Sequence, residues 1–156
     1  MTSAEDGTPP GEDVPAPVDD QVVVRLVEVF VALPSTHPIV VLEETEAPHR
    51  QLRIPVGLPE GSAIAYALEQ VSTPRPLTHE LFAAVLASMG ATIEVLRITG
   101  AVASTYLAEL VVSSASGLRV FSCRPSDGIA LVLRQRPRPP ITAAREVLEK
   151  MGIAGP

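Results

Sequence analysis

The chain has 156 residues, 46% of them hydrophobic, enough for one domain with a real core. Three Phe, two Tyr and no Trp leave that core to Val, Leu, Ile and Ala, and a single cysteine, Cys123, excludes an internal disulfide or a cysteine-cluster metal site. The net charge of −6 is carried by residues 1–20, where Glu5, Asp6, Glu12, Asp13, Asp19 and Asp20 meet no Lys or Arg; residues 21–156 balance 12 acids with 12 bases, which excludes a strongly basic nucleic-acid footprint.

Residues 1–20 are rich in Pro, Asp, Glu and Gly and hold no aromatic. Such a stretch buries too little surface to offset the entropy of ordering, so a disordered tail is expected, with one domain over residues 21–156. No basic stretch followed by an apolar run opens the chain, and no apolar run reaches the roughly 18 residues that span a membrane. The expectation is a cytoplasmic protein with no membrane partner. Residues 22–33 form a β-branched run broken by Arg25 and Glu28 and read as a bulged, mostly buried strand. Residues 34–38 turn into a second strand at 39–42, and a third follows at 52–56. Pro55 lacks a ladder donor and places that third strand at an edge or a strand end. The loop between them holds Glu43, Glu44, Glu46 and His49 and reads as a solvated turn.

A helix is expected from about Gly57–Gly61 to Gln70, with Ala63, Ile64, Ala67, Leu68 and Val71 on one face, and a second at 79–89 before Gly90. Strands at 93–98, 106–112 and 118–122 read as an antiparallel meander. Helices follow at about 125–135 and 142–151, the last capped by Thr142. The fold class is α+β, a single domain with a mixed or largely antiparallel sheet and about four helices in the order βββ-αα-βββ-αα.

Two polar turns interrupt this apolar chain. In Cys123-Arg124-Pro125-Ser126-Asp127-Gly128, a strand runs into a turn that opens a helix. Pro125 suits the first helical position, Ser126 can cap, and Asp127 meets the positive end of the dipole. Thr73-Pro74-Arg75-Pro76-Leu77-Thr78-His79-Glu80 repeats the device: an Arg-Pro pair, a Thr cap and a first-turn acid. Cys123 ends an apolar strand and reads as a small buried hydrophobe.

On these residues the chain resembles the bifunctional nuclease domain family, whose members include proteins with both DNase and RNase activity. The carriers are Pro74-Arg75-Pro76-Leu77-Thr78-His79-Glu80 and Arg124-Pro125-Ser126-Asp127-Gly128-Ile129-Ala130-Leu131, in the family's order and at a similar separation. Weaker matches at 52–57, Glu60, Ala63-Ile64, 106–108, 140–141 and 146–148 extend the resemblance over residues 21–153. It implies a nuclease of low sequence specificity acting on DNA and RNA, dependent on Mg²⁺ or Mn²⁺ and on no organic cofactor. Carboxylates suit such ions, and Glu60, Glu80 and Asp127 are the acids within the matched motifs, with Asp127 and Glu80 the expected metal ligands. Arg75 and Arg124, with Ser126, are the expected phosphate binders, and His79 an acid or base. The expected catalytic set is thus Asp127, Glu80, His79 and Glu60.

Each residue also has a bland role. First-turn acids stabilise helices, Arg124 can simply pair with Asp127, and a histidine at a helix start is commonly solvated. The neutral domain favours an alternative class, a non-catalytic module binding a small anion or a protein partner, because nonspecific nucleic-acid binding needs several phosphate contacts. Arg134, Arg136, Arg138 and Arg145 offer one local basic stretch against that objection. A third class is a structural subunit forming a homo-oligomer through exposed apolar strand surface.

Overall fold

The computed structural model describes residues 20–156, so the expected tail lies outside the described residues but for Asp20. Strands β1 (Gln21–Val31), β2 (Pro38–Glu44) and β3 (Gln51–Pro55) come first, followed by helices α1 (Leu58–Leu68) and α2 (Thr78–Ser88). Strands β4 (Thr92–Val102), β5 (Thr105–Ser114) and β6 (Gly117–Cys123) lead into helix α3 (Pro125–Val132), then β7 (Ile141–Ala144) and helix α4 (Arg145–Met151). The seven strands make one sheet in the order β3-β2-β1-β7-β4-β5-β6. It is two antiparallel meanders joined by β7, which runs antiparallel to β1 and parallel to β4. Among the described residues the fold is α+β, one domain with four helices. No helix among the described residues is long and apolar enough to cross a membrane.

The alternation that marks strands in the sequence becomes a layered core. Val40 and Leu42 of β2, Leu52 of β3, Leu96 and Ile98 of β4 and Ala143 of β7 are fully buried and share one core with Ile64 of α1 and Leu148 of α4. Pro55 does end the edge strand β3, where its missing donor costs no ladder bond. The β5–β6 turn closes at Gly117, whose φ of 106° is open to glycine and strained for other residues.

Three expectations need correction. Strand β1 is bulged between Leu26 and Glu28 as expected, but it is not mostly buried: Val24 is buried while Val23, Val27 and Val31 are exposed. β-branched residues suit a pleated strand on either face, so composition alone does not report cover. The element order also gains a strand, because residues 141–144 pair with β1 and β4 instead of opening the last helix. Thr142 lies within β7 and donates to Gln21 Oε1 at 2.8 Å, and Ala144 takes the cap position of α4. Finally, Ser126 and Thr78 are not caps. Arg124 and Leu77 hold those positions, extended at ψ 141° and 172°. Pro125 is preset for the first helical position and favours an extended residue before it, so α3 starts two residues earlier than a Ser126 cap would give.

Helix α3 is the buried one. Pro125, Ser126 and Gly128 to Val132 are all inaccessible, whereas α2 has no fully buried residue. The close approach of α3 to β4 depends on Gly128: a Cβ there would collide with Leu96 Cδ1 and lie 3.0 Å from Cδ2. Alanine normally improves a helix interior by about 1 kcal/mol over glycine. Overpacking against a fully buried leucine costs typically about 1–3 kcal/mol and should outweigh that gain. Gly128→Ala is therefore expected to lower unfolding free energy in urea titrations, and a gain in stability would show that Leu96 can step aside.

Candidate functional site

Three helix starts meet at one place. Glu60 stands in the first turn of α1, His79 in that of α2 and Asp127 in that of α3, where Arg124 occupies the cap position. Arg124 Nε donates to Asp127 Oδ2 at 2.8 Å, and its Nη2 donates to Asp127 Oδ1 at 3.2 Å and to Glu60 Oε1 at 3.0 Å. His79 Nε2 lies 3.0 Å from Asp127 Oδ1. The other Glu60 oxygen folds back against Gly57, filling the place of a side chain there. These residues border an open cavity of about 490 Å³, lined also by Pro59, Pro76 and Thr78.

Burial tends to push the Asp127 carboxyl up, but hydrogen bonds from Arg124 and His79, and the charge of Arg124, outweigh it and hold Asp127 below its ordinary value of 3.8. Asp127 is thus an ionised acceptor, so His79 Nε2 must be the donor in their bond. That fixes one tautomer of the neutral ring and leaves Nδ1 as the nitrogen able to take a proton. Arg124 is held further toward its charged form, first by its bonds to Asp127 and then by Glu60. One cation faces two carboxylates, so with neutral His79 the cluster carries a charge of about −1 by formal count.

The expected site is assembled in part. His79, Arg124, Asp127 and Glu60 come together. Glu80 turns away into a separate cavity, where its Oε1 lies 4.0 Å from Arg134 Nη2. Arg75 is exposed in the loop before α2 and is not among the residues lining the cavity. Ser126 is buried and lines a small cavity with Gly57 and Tyr106. The basic stretch after α3 is also largely occupied: Arg134 donates to the carbonyls of Ala130 and Ala63, and Arg136 to those of Leu133 and Gln135. The loop acids do more than solvate a turn, since Glu44 is buried in a two-pronged pair with Arg50.

The donors do not fit a divalent ion as arranged. Among the described residues no group of three His, Cys, Asp or Glu side chains could hold one. The Arg124 guanidinium occupies the space between Glu60 and Asp127 that a cation would need, and Glu80 is not beside Asp127. Cys123 is no candidate nucleophile, because burial and then the negative charges of Asp127 and Glu109 push its thiol up to about 11. Sequence reasoning missed a second cavity on the far side of His79 and Asp127, lined by Phe82, Leu86, Phe121 and Leu131. Its only signal in the sequence is that two of the chain's three Phe residues stand in or beside the segments bearing the two turns.

A carboxyl whose folded value lies below its unfolded one stabilises the fold above the unfolded value and loses that contribution as pH falls through the folded value. The stability of the protein should therefore decline as pH drops below about 4. Asp127→Asn, which cannot titrate, should show a shallower decline in the same acid denaturation series. Parallel acid limbs would remove Asp127 as a contributor.

A family model described as Bifunctional nuclease domain matches residues 40–155, which include every member of the cluster. Two curated relatives, both from Mycobacterium tuberculosis and both named as uncharacterized proteins, are 35% identical to the chain over 133 residues. The matched region covers 85% of this chain and 77% of each relative.

Proposed function

The chain belongs to the bifunctional nuclease domain family, and from that premise we propose that the cluster of His79, Asp127, Arg124 and Glu60 is a phosphodiester-cleaving site of low sequence specificity, acting on DNA or RNA. The family suggests nuclease-like function and nucleic-acid binding. The observation that carries the reading is the chain of bonds from His79 through Asp127 to Arg124, along the wall of one open cavity.

Each residue has a part that its chemistry supports. Arg124 has about two thirds of its side chain exposed, and its bonds to Asp127 and Glu60 run through Nε and Nη2, so a phosphate oxygen can approach Nη1. The free amides at the starts of α1, α2 and α3 favour an anion in the same cavity. His79, oriented by Asp127, takes a proton at Nδ1 from the attacking water as its oxygen bonds to phosphorus, and returns that proton to the sugar oxygen that leaves as the P–O bond breaks. Asp127 stabilises the imidazolium that results, and Glu60 fixes Arg124. No step here passes through Mg²⁺ or Mn²⁺.

A second reading is favoured by the charge balance. Two carboxylates more than offset Arg124, which suits a binding module better than a strong nonspecific nucleic-acid grip.

The test is cleavage of single-stranded DNA and of RNA by highly purified protein. His79→Ala and Asp127→Asn are each expected to reduce the rate by at least about a hundredfold, the usual scale of acid–base catalysis. Repeating the assay in EDTA separates an acid–base reaction from one that recruits a divalent ion. Activity that survives both substitutions belongs to a contaminant or another site, and wild-type protein that binds but never cleaves favours the binding module.

A further inference from the structure

The second cavity beside the cluster has about 420 Å³ of space, within the range of small-molecule sites. His79 and Asp127 form its boundary with the cavity that Arg124 and Glu60 border, because both residues line both spaces. Beyond that boundary the wall turns apolar and aromatic: Phe82 and Leu86 from α2, Leu110 and Val112 from β5, Phe121 from β6 and Leu131 from α3. Thr78 and Ser122 add two exposed hydroxyls at its lining. Phe82 remains half exposed although it is the largest side chain of its helix. An aromatic surface of this kind, one residue away from a phosphate-binding group, matches the layout of a nucleotide: a charged phosphate and a flat apolar base joined by a short sugar.

We propose that this cavity is a nucleobase pocket, which makes the protein selective for single-stranded nucleic acid. The proposal rests on the phosphodiester reading of the neighbouring cluster. A base stacked and paired in a duplex cannot leave the helix without losing those contacts, whereas an unpaired base can turn onto an aromatic side chain. Stacking is also tolerant of sequence, since every base presents a π-face. It compensates for what the electrostatics lack. The domain is neutral, Arg124 is balanced by two acids, and Arg134 and Arg136 are tied to carbonyls, so charge alone gives a weak grip.

Binding is measured separately from cleavage, with a short fluorescein-labelled single strand of DNA carrying phosphorothioate linkages. Its duplex and an abasic strand of the same length serve as comparisons at one salt concentration. The single strand should bind on the order of tenfold tighter than the duplex or the abasic strand, the scale of one base–aromatic stack. Phe82→Leu keeps an apolar side chain but should erase that preference, and Phe82→Tyr should retain it. Because Phe82 is half exposed, both variants should melt near the wild-type temperature. Equal affinity for single strand, duplex and abasic strand overturns the proposal, as does a Phe82→Leu protein that binds like wild type. So does a stable dimer that covers α2 and refuses the strand. Failure of the cleavage reading looks different: no hydrolysis, with the Phe82-dependent preference intact.

Discussion

Burial of helix α3 is the constraint on which the rest of the structure depends. Seven of its eight residues are inaccessible, and Gly128 lets its backbone settle against Leu96 of the central sheet. A helix apolar on every side has one place in a domain, between the sheet and its other helices. Once α3 is there, the turn before it has no freedom. Arg124 must emerge at the end of β6, and Asp127 must face the starts of α1 and α2. The geometry of the cluster is therefore fixed by apolar packing, and the polar groups are carried to it.

The charges within the cluster are arranged against simple helix preference. A guanidinium at the cap of α3 faces the positive end of that helix dipole, which is unfavourable. Two first-turn carboxylates, each at a start where the dipole welcomes them, offset it. Exposed ion pairs contribute only about 0–1 kcal/mol, and most of Arg124 is exposed, so these contacts add little to holding α1 and α3 together. Buried apolar contacts between the two helices and the sheet do that. Compare Arg97, which is buried and bonded to Glu109 across the β4–β5 ladder, as a structural pair would be. Arg124 is kept accessible beside acids that could have been spared.

Much of this was legible in the sequence, and the failures have physical causes. Two meanders, the edge position of Pro55 and the approximate helices follow from alternation, turn residues and helical stripes. Strand β7 was hidden because four residues with two alanines carry no periodic signal, and only pairing with β1 and β4 makes them a strand. At the site, Asp127 with Arg124 was readable because they are three residues apart on one turn. Their pairing with His79 and Glu60 joins residues 48 and 64 positions away, which only the tertiary fold sets. Glu80 misled because it neighbours His79 in the sequence, yet successive helical residues point about a hundred degrees apart. It meets Arg134 instead.

The two turns that look alike in the sequence differ in what stands behind them. After Arg124 comes a helix buried almost throughout, and after Arg75 comes α2, which buries none of its residues completely and leaves Leu81, Phe82 and Val85 exposed. Elements with little buried apolar surface open at low free energy, and packed core elements open only with the whole fold. The site is thus built across a boundary of local stability. Asp127 and Arg124 belong to the rigid side, and His79 to the side that moves more easily. The bond between His79 Nε2 and Asp127 Oδ1 spans that boundary, and it alone among the cluster's contacts depends on how α2 is docked. A displacement of α2 would separate the imidazole from its orienting carboxylate while leaving the Arg124–Asp127 pair unchanged. The same displacement would widen the cavity that Phe82 and Leu86 share with Phe121, since those two residues ride on α2. Any motion of this one helix would therefore couple access to the apolar cavity with alignment of the imidazole.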